Sequence, residues 1–145
     1  MNISFDLDNT LIPHGNEFES ERRNLLAKVL GVEFIRKDTP LLFSKLQQEG
    51  HQLHIYTTSF RSKIKIRLML FCYGIKVGKI INQFQNERTL KRHNKNASKY
   101  SPAYGFDLHI DDSVGVGMEG ERLGFATIIV SPKDENWIET ILSSL

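Results

Sequence analysis

The apolar residues of this chain fall into five short runs, and the stretches between those runs have helical spacing. Short apolar runs bounded by Gly, Pro, Asn or Asp are typical of buried strands. We therefore predict strands over residues 2–6, 52–57, 75–81, 106–110 and 125–130.

Two helices are predicted between the first and second strands. The first has Ser20 as its N-cap and ends at Gly31. Its apolar stripe consists of Leu25, Leu26, Val29 and Leu30. The second has Thr39 as its N-cap and ends at Gly50.

Three further helices follow. The third, over residues 60–73, begins after Ser59 and ends at Gly74, and a Gly-weakened fourth is expected over residues 113–123. The last helix has an apolar stripe that predicts packing against the core. This stripe consists of Trp137, Ile138, Ile141, Leu142 and Leu145. Residues 82–104 are polar and fit no element.

The alternation of strands and helices predicts a three-layer α/β/α sandwich with a five-stranded, parallel, Rossmann-like sheet. Its crossovers should be right-handed. The length of 145 residues is that of one ordinary domain, and the sequence shows neither a repeat nor a linker. We therefore expect residues 1–145 to form a single domain.

Composition and charge exclude several classes of protein. The single cysteine, Cys72, excludes an intrachain disulfide and a cysteine-cluster metal site. A formal net charge of +2 argues against a nucleic-acid or membrane partner. No apolar run is long enough to span a membrane and no signal peptide is visible, so the expected location is the cytoplasm.

The candidate chemistry lies at the carboxyl ends of the predicted strands, where ligands bind in parallel sheets. The polar side chains at these ends are Asp6, Asp8, Thr57, Thr58, Ser59, Asp111 and Asp112. Oxygen ligands without His or Cys suit a hard cation such as Mg²⁺ and argue against zinc. Such a site suits phosphate chemistry. The alternative is that Asp8-Asn9 is only a turn and Asp6 only a strand-end cap.

The order of these residues resembles that of phosphatases in the haloacid dehalogenase (HAD)-like superfamily. The family's first motif, an apolar strand followed by Asp-x-Asp-x-Thr, matches Asp6-Leu7-Asp8-Asn9-Thr10. The second motif, a strand followed by Thr or Ser, matches Thr57. The fourth motif, an acidic pair after a strand, matches Asp111-Asp112. The resemblance covers nearly the whole chain.

This resemblance implies a reaction through a covalent intermediate. Asp6 would be the nucleophile that forms an aspartyl-phosphate. Asp8 would first protonate the leaving oxygen and then deprotonate the attacking water. Thr57, together with main-chain amides near Thr58, would bind the phosphoryl oxygens.

The resemblance also implies Mg²⁺ as cofactor. The ion would be held by Asp6, by the backbone carbonyl of Asp8 and by Asp112. Asp111 would bind it directly or through water. Thr10 would support the geometry of the loop and would not contact substrate.

The third motif of the family is a Lys ahead of the fourth strand, which pairs with the nucleophile and neutralises phosphoryl charge. Lys99 is the favoured match, with Lys95 as second choice and Lys91 as a further candidate. Lysines at these positions also fit an ordinary solvated surface.

Residues 12–38 can supply at most a minimal cap, because one helix between the first two strands is needed as the crossover. By the resemblance, a minimal cap leaves the site open, so that a bulky phosphorylated substrate fills it or a second subunit covers it. Asp8 favours phosphate esters, because the dehalogenases of the family lack that acid. The basic residues Arg61, Lys63, Lys65 and Arg67 and the cluster 91–95 could guide a polyanion, although a solvated surface is the simpler interpretation.

Two alternatives stay open beside a Mg²⁺-dependent phosphomonoester hydrolase. A phosphoacceptor receiver domain has a similar sheet and acidic cluster, but it would place its acceptor Asp after the third strand, where this chain has Ile81-Asn82. Such a domain would be phosphorylated once and stop. A regulatory module of the same fold would show no turnover at all.

Overall fold

The computed structural model describes residues 1–145 and contains one parallel sheet of five strands. The strands are β1 (Asn2–Phe5), β2 (Gln52–Tyr56), β3 (Ile80–Ile81), β4 (Leu108–Asp111) and β5 (Ala126–Ile129). Their order in the sheet is β3-β2-β1-β4-β5, and every neighbouring pair is parallel. This architecture confirms the predicted three-layer α/β fold.

Six helices connect and flank these strands. They are α1 (Leu25–Val29), α2 (Thr39–Gln48), α3 (Lys63–Cys72), α4 (Gln83–Arg92), α5 (Val114–Leu123) and α6 (Trp137–Leu142). A short 3-10 turn, Ser101–Tyr104, lies between α4 and β4. None of the helices combines the length and the apolar character that a membrane crossing requires.

The central strands form the middle of the core. Ile3 and Phe5 of β1, Ile55 of β2 and Ile110 of β4 are fully buried, as expected where both faces of a parallel sheet are covered. The ring of Phe5 packs on Phe43 of α2, with 4.6 Å between ring centroids. Because the register pairs Phe5 with Ile110, the residues that follow β1 and those at the end of β4 meet at one edge of the sheet.

The first helix differs from its prediction. Asn24, not Ser20, is the N-cap of α1, and its Oδ1 accepts a hydrogen bond from Ala27 N at 2.8 Å. Ser20 instead forms an antiparallel bridge with Arg36. The apolar stripe of α1 is exposed, and only Ala27 is buried. The start of α1 is set by Asn24, whose side chain satisfies a backbone N–H that has no partner within the helix. The apolar stripe of α1 did not predict which face of the helix is buried.

The predicted caps of α2 and α3 were also wrong. Thr39 is the first helical residue of α2, after Asp38 at φ 63°, and its Oγ1 donates to the carbonyl of Arg36 at 2.6 Å. Ser62, not Ser59, is the N-cap of α3, and its Oγ accepts from Lys65 N at 3.2 Å. Ser59 belongs to the loop that leads to the site described below.

The third strand is much shorter than predicted, and residues 82–104 are more ordered than predicted. β3 begins only at Ile80, and the N–H of the preceding Lys79 donates to His54 Nδ1 at 2.9 Å instead of to a neighbouring strand. The backbone of Gly78 passes so close to His54 that a Cβ there would lie 2.8 Å from the ring. The following α4 has Asn82 as its N-cap, whose side chain accepts from Gln85 N at 3.3 Å. Its apolar content is too low for periodicity to reveal it.

The last two elements largely follow the prediction. In α6, Trp137 and Ile141 are buried, and Ile138 and Leu142 pack against the same core, which confirms this part of the stripe. Leu145 lies beyond the helix and is exposed. β5 lies at an edge of the sheet, and its residues are exposed or partly buried, which is less than the buried strand that its apolar run predicts.

Candidate active site

Three carboxylates meet where β1 and β4 end side by side. Asp6 follows β1 directly, Asp111 is the last residue of β4, and Asp112 comes next. The backbone N–H of Asp6 donates to the carbonyl of Ile110 at 2.9 Å, which continues the pairing of the two strands. One oxygen from each carboxylate lies within 4.8 Å of the others. We name Asp6, Asp111 and Asp112 the acid cluster.

A buried lysine bridges two members of the acid cluster. Lys99 Nζ donates to Asp6 Oδ1 at 2.6 Å and to Asp111 Oδ2 at 2.5 Å, and the side chain is only 2% exposed. The backbone around it is held by hydrogen bonds from Lys99 N to Glu119 Oε2 and from Tyr100 N to the hydroxyl of Tyr56. A lysine buried this deeply requires such ionic partners.

A histidine and a serine lie beneath this ion pair. Ser4 of β1 and His109 of β4 face each other in the strand register. His109 Nε2 is 3.0 Å from both Asp111 Oδ2 and Lys99 Nζ, and Nδ1 is 2.8 Å from Ser4 Oγ. Burial and the Lys99 charge lower the pKa of His109 to about 4, so the ring is neutral. Because a carboxylate only accepts, Nε2 carries the proton towards Asp111, and Nδ1 accepts from Ser4.

The charges of the acid cluster are not balanced. Burial raises the pKa of Asp6 to about 7, although Lys99 acts in the opposite direction. Burial also acts on Asp111, but hydrogen bonds from His109 and the Lys99 charge outweigh it and hold the pKa of Asp111 well below its ordinary value. Burial and the nearby Asp111 charge raise the pKa of Asp112. Three carboxylates face one ammonium in this volume, which leaves an excess of negative charge.

The loop after β1 turns back on itself and separates Asp8 from the acid cluster. The amides of Leu11 and Ile12 both donate to the carbonyl of Leu7, and Asn9 adopts a left-handed conformation at φ 61°. Thr10 is buried, and its hydroxyl donates to Asp112 Oδ1 at 3.3 Å. The side chain of Asp8 points to a different set of partners.

Asp8 is bound by an arginine that also reaches residues 12–38. Arg61 Nη1 donates to Asp8 Oδ1 at 2.9 Å and to Oδ2 at 3.1 Å. Arg61 Nε and Nη2 each donate to a Glu33 carboxylate oxygen at 2.8 Å, in a two-pronged pair. These hydrogen bonds raise the pKa of Arg61 and lower that of Glu33. We name Asp8, Arg61 and Glu33 the rim triad.

The loop after β2 fixes Arg61 in place. The hydroxyl of Thr57 is buried and accepts from Ser59 N at 3.0 Å. Ser59 Oγ accepts from both the backbone N and Nη1 of Arg61, at 3.1 and 2.9 Å. Thr58, between them, is exposed. The predicted phosphate-binding loop is thus ordered by its own serine and threonine side chains.

The lysine candidates lie in different surroundings. Lys99 is in contact with Asp6, whereas Lys95 Nζ lies over the ring of Tyr100, 4.8 Å from its centroid. Lys91 is exposed on α4. Of the predicted site residues, the structure gathers Asp6, Lys99 and the acidic pair, and it places the Asp8 carboxylate at the rim.

The donor set of the acid cluster fits a hard divalent cation. Asp6 Oδ2 and Asp112 Oδ2 accept no hydrogen bond, whereas both oxygens of Asp111 do, from Lys99 and from Ser113 N. The free oxygens, and the unbalanced negative charge around them, suit Mg²⁺. No His or Cys contributes to the free positions, which argues against zinc.

Sequence reasoning did not single out His109, Ser4, Arg61 or Glu33 as parts of the site. His109 and Asp111 are two residues apart on one strand and share a face, as do Ser4 and Asp6, which was a usable signal. Arg61 follows the predicted phosphate-binding Thr57 by four residues but was assigned to a basic helix face. Glu33 gives no local signal, because its partner Arg61 is 28 residues away.

The comparisons with known proteins give structural likeness only. No protein-family model and no curated protein matches this sequence. A chain of the Pnkp1/Rnl/Hen1 complex is similar in structure, with a TM-score of 0.58 and 14% identity over 90% of this chain and 45% of that chain. A chain of the Pnkp1/Rnl/Hen1 RNA repair complex is also similar, with a TM-score of 0.58 and 15% identity over 92% of this chain and 43% of that chain. This chain thus spans less than half the length of either.

A third solved structure matches over nearly its whole length. It is a predicted HAD-like family hydrolase from Porphyromonas gingivalis, with a TM-score of 0.54 and 18% identity over 99% of this chain and 96% of that chain. Identities this low show the fold alone. The structural likeness and the parallel sheet of order β3-β2-β1-β4-β5 together show that the chain has a HAD-like fold.

Proposed function

We propose that this protein is a Mg²⁺-dependent phosphomonoester hydrolase that works through an aspartyl-phosphate on Asp6. The observation that carries this proposal is the acid cluster, whose three carboxylates lie within 4.8 Å of one another with Lys99 bonded to Asp6. Buried acids at such a density are costly for stability, which favours a role in function.

Asp6 is the nucleophile of the proposed reaction. One of its oxygens forms a bond to phosphorus while the bond between phosphorus and the leaving oxygen breaks. Lys99 donates to Asp6 Oδ1 and neutralises charge that develops on the phosphoryl group. The pKa of Asp6, raised to about 7 by burial, indicates that more positive charge than Lys99 provides is needed to keep it ionised at neutral pH.

Asp8 is the general acid and then the general base. It gives a proton to the leaving oxygen in the first step and takes one from water in the second, when that water attacks the phosphorus of the aspartyl-phosphate. Its carboxylate lies beside the acid cluster and not within it, as a group that reaches the leaving oxygen should. Arg61, which also donates to Ser59 Oγ, holds it there.

The remaining residues bind the phosphoryl group and the cofactor. Thr57, with the main chain near Thr58, donates to phosphoryl oxygens. Asp6 and Asp112, the backbone carbonyl of Asp8, and Asp111 directly or through water would hold Mg²⁺. When bound, the ion supplies electrostatic stabilisation of the phosphoryl oxygens.

The test is a hydrolysis screen in the presence and absence of Mg²⁺. The substrates are sugar phosphates, nucleotides, phosphoamino acids and a generic aryl phosphate. Activity should vanish with EDTA and in Asp6→Asn, and Asp112→Asn should raise the Mg²⁺ concentration needed for half-maximal activity. Glu121→Gln, which removes an exposed acid elsewhere, is the matched control.

Each result of this screen has a clear meaning. Robust turnover by Asp6→Asn contradicts the nucleophile. Phosphorylation of the parent protein once per chain without release of phosphate favours the phosphoacceptor alternative. No turnover and no phosphorylation on the whole panel favours a regulatory module.

A further inference from the structure

Phe60, the residue before Arg61, forms an exposed aromatic pair with Phe84. The rings of Phe60 and Phe84 pack edge to face, with 4.9 Å between centroids and an interplanar angle of 73°. The two residues are 57% and 55% exposed. Large apolar side chains that stay exposed together at the rim of a site are candidates for contact with a ligand.

The backbone ties this aromatic pair to the rim triad. Phe60 directly precedes Arg61, whose guanidinium binds Asp8. Asn82 Nδ2 donates to the carbonyl of Arg61 at 3.1 Å, and Gln83 N donates to the carbonyl of Ser59 at 3.0 Å. These bonds join the loop after β2 to the start of α4. The aromatic pair therefore belongs to the same hydrogen-bonded unit as Arg61, the residue that binds the proposed general acid Asp8.

A basic groove lies along the edge strand β3, and its lining includes Gln85, the residue after Phe84. Its volume is about 430 Å³, and three cations line it: Lys63, Arg67 and Lys79. No Asp or Glu is among the lining residues. The groove is a local concentration of positive charge in a chain whose formal net charge is only +2.

The three cations of the groove have only neutral acceptors within the chain. Lys63 Nζ donates to the amide oxygen of Gln85, which directly follows Phe84. Arg67 donates to the carbonyls of residues 77 and 78, each at 3.0 Å. Lys79 Nζ donates to the carbonyl of Tyr104 at 2.7 Å. Their charges are not compensated by carboxylates at these positions.

From this arrangement we propose that the substrate is the phosphorylated end of a single-stranded polynucleotide. The inference rests on the proposed function. The terminal phosphate would lie at Asp6, the terminal base would stack on Phe60 and Phe84, and backbone phosphates would follow the groove past Lys63, Arg67 and Lys79. Aromatic platforms combined with a cationic track are how proteins bind single strands without reading their sequence.

This proposal differs from the expectation drawn from charge alone. A net charge of +2 spread evenly gives no reason to expect nucleic acid. The structure instead gathers three cations in one groove beside β3 whose lining contains no Asp or Glu. The aromatic pair supplies the stacking surface that a merely solvated basic face lacks.

The first experiment compares kcat/KM for single-stranded oligonucleotides that carry a 3′- or a 5′-phosphate, as RNA and as DNA, with kcat/KM for glycerol phosphate. At least one oligonucleotide should exceed glycerol phosphate by 100-fold or more. In Phe60→Ala or Phe84→Ala, the ratio of kcat/KM for the oligonucleotide to kcat/KM for glycerol phosphate should fall about tenfold, since stacking contributes about 1–3 kcal/mol per base. Phe71→Ala removes an exposed ring of α3 elsewhere and should leave that ratio unchanged.

The second experiment measures binding without turnover. The affinity of Asp6→Asn for a fluorescent single-stranded oligonucleotide is followed by anisotropy from low to moderate salt. Each lost phosphate contact should reduce the slope of log K against log salt by about 0.7. Lys63→Ala should show that change, whereas Lys45→Ala, which removes an exposed lysine of α2 outside the groove, should not.

The outcomes separate this inference from the proposed function. Hydrolysis of glycerol phosphate that needs Asp6, with no preference for oligonucleotides, overturns the inference alone. Equal binding of single strands and a blunt duplex, or equal salt slopes in Lys63→Ala and Lys45→Ala, also overturns it. If the parent protein has no phosphatase activity but binds single-stranded oligonucleotides in a salt-dependent way, the proposed function is wrong and the strand-binding role of the groove is supported.

Discussion

The two sides of the proposed site are built in opposite ways. Asp6, Asp111 and Lys99 belong to the buried side, where the pairing of β1 with β4 brings the two acids together and Asp112 is only partly exposed. The rim triad belongs to the open side: the side chains of Arg61 and Glu33 are 18% and 32% exposed, and their partners come from distant loops. The first side is removed from solvent, and the second is partly exposed and joined by ion pairs between side chains of different loops.

This difference indicates how the two sides divide the work. A charge removed from water interacts strongly with its neighbours and cannot be left unpaired. The acid cluster is therefore suited to bind one fixed group, the phosphoryl group, always in the same way. The rim triad keeps contact with water, so exchange of its partners costs less, which suits contact with leaving groups of different shape.

The largest effect is expected from removing the buried cation. Lys99→Met leaves Asp6 and Asp111 buried without a counter-charge, and breaking a buried pair from one side costs about 3–5 kcal/mol. Chemical denaturation should show a loss of this size, and hydrolysis should fall at least 100-fold. Lys95→Met is the matched control, and a larger loss in that variant would contradict the assignment of Lys99.

A smaller effect is expected from the residues beneath the ion pair. His109→Leu removes the donor to Asp111 and leaves the Ser4 hydroxyl with only the carbonyl of Leu108, at 3.3 Å, as acceptor, which should cost about 1–3 kcal/mol. Ser4→Ala should cost less, about 1 kcal/mol. Denaturation of both variants and of the double variant gives the coupling between them. Independent, additive losses would show that the two residues do not act as a pair.

The rim triad should contribute less to stability and more to rate. Because its groups are partly exposed, a double-mutant cycle of Arg61→Ala and Glu33→Gln should give a coupling of about 1 kcal/mol or less. Arg61→Ala should nevertheless lower kcat, because Asp8 loses the donor that holds it. An unchanged kcat in Arg61→Ala would show that Arg61 does not position Asp8 for the reaction.

The smallest effect is the pH dependence of the rim triad. The Arg61 hydrogen bonds hold the pKa of Glu33 below its ordinary value of 4.5, so the folded state favours the ionised carboxylate. Its contribution to stability is therefore present above pH 4.5 and is lost as the pH falls through the lowered pKa. The difference in unfolding free energy between the parent and Glu33→Gln should shrink over that range. A constant difference would show that Glu33 is not ionised by this contact.

The same contrast explains which parts could be predicted from sequence. The acid cluster is encoded locally: each acid lies at the end of an apolar run, and the parallel sheet brings these ends together. The choice between Lys99 and Lys95 was not encoded locally. It depends on α4 and the 3-10 turn, two elements whose few apolar residues gave no periodic signal.

The rim triad could not be predicted, for a different physical reason. Glu33 and Arg61 meet through side chains, with no strand register to place them. The predicted start of α1, the helix that precedes Glu33, was also wrong, because the N-cap is Asn24 and not Ser20. Pairings that depend on the path of a long insertion are set by tertiary contacts that a local pattern does not contain.

The most direct test of the central claim is the mass of the protein caught during the first turnover of an aryl phosphate in Mg²⁺ and quenched in acid. The account predicts one added phosphoryl group, located on Asp6, absent in Asp6→Asn and longer-lived in Asp8→Asn, since that variant lacks the base that activates water. Turnover with no phosphorylated protein in either the parent or Asp8→Asn, or a phosphoryl group on any other residue, would contradict it.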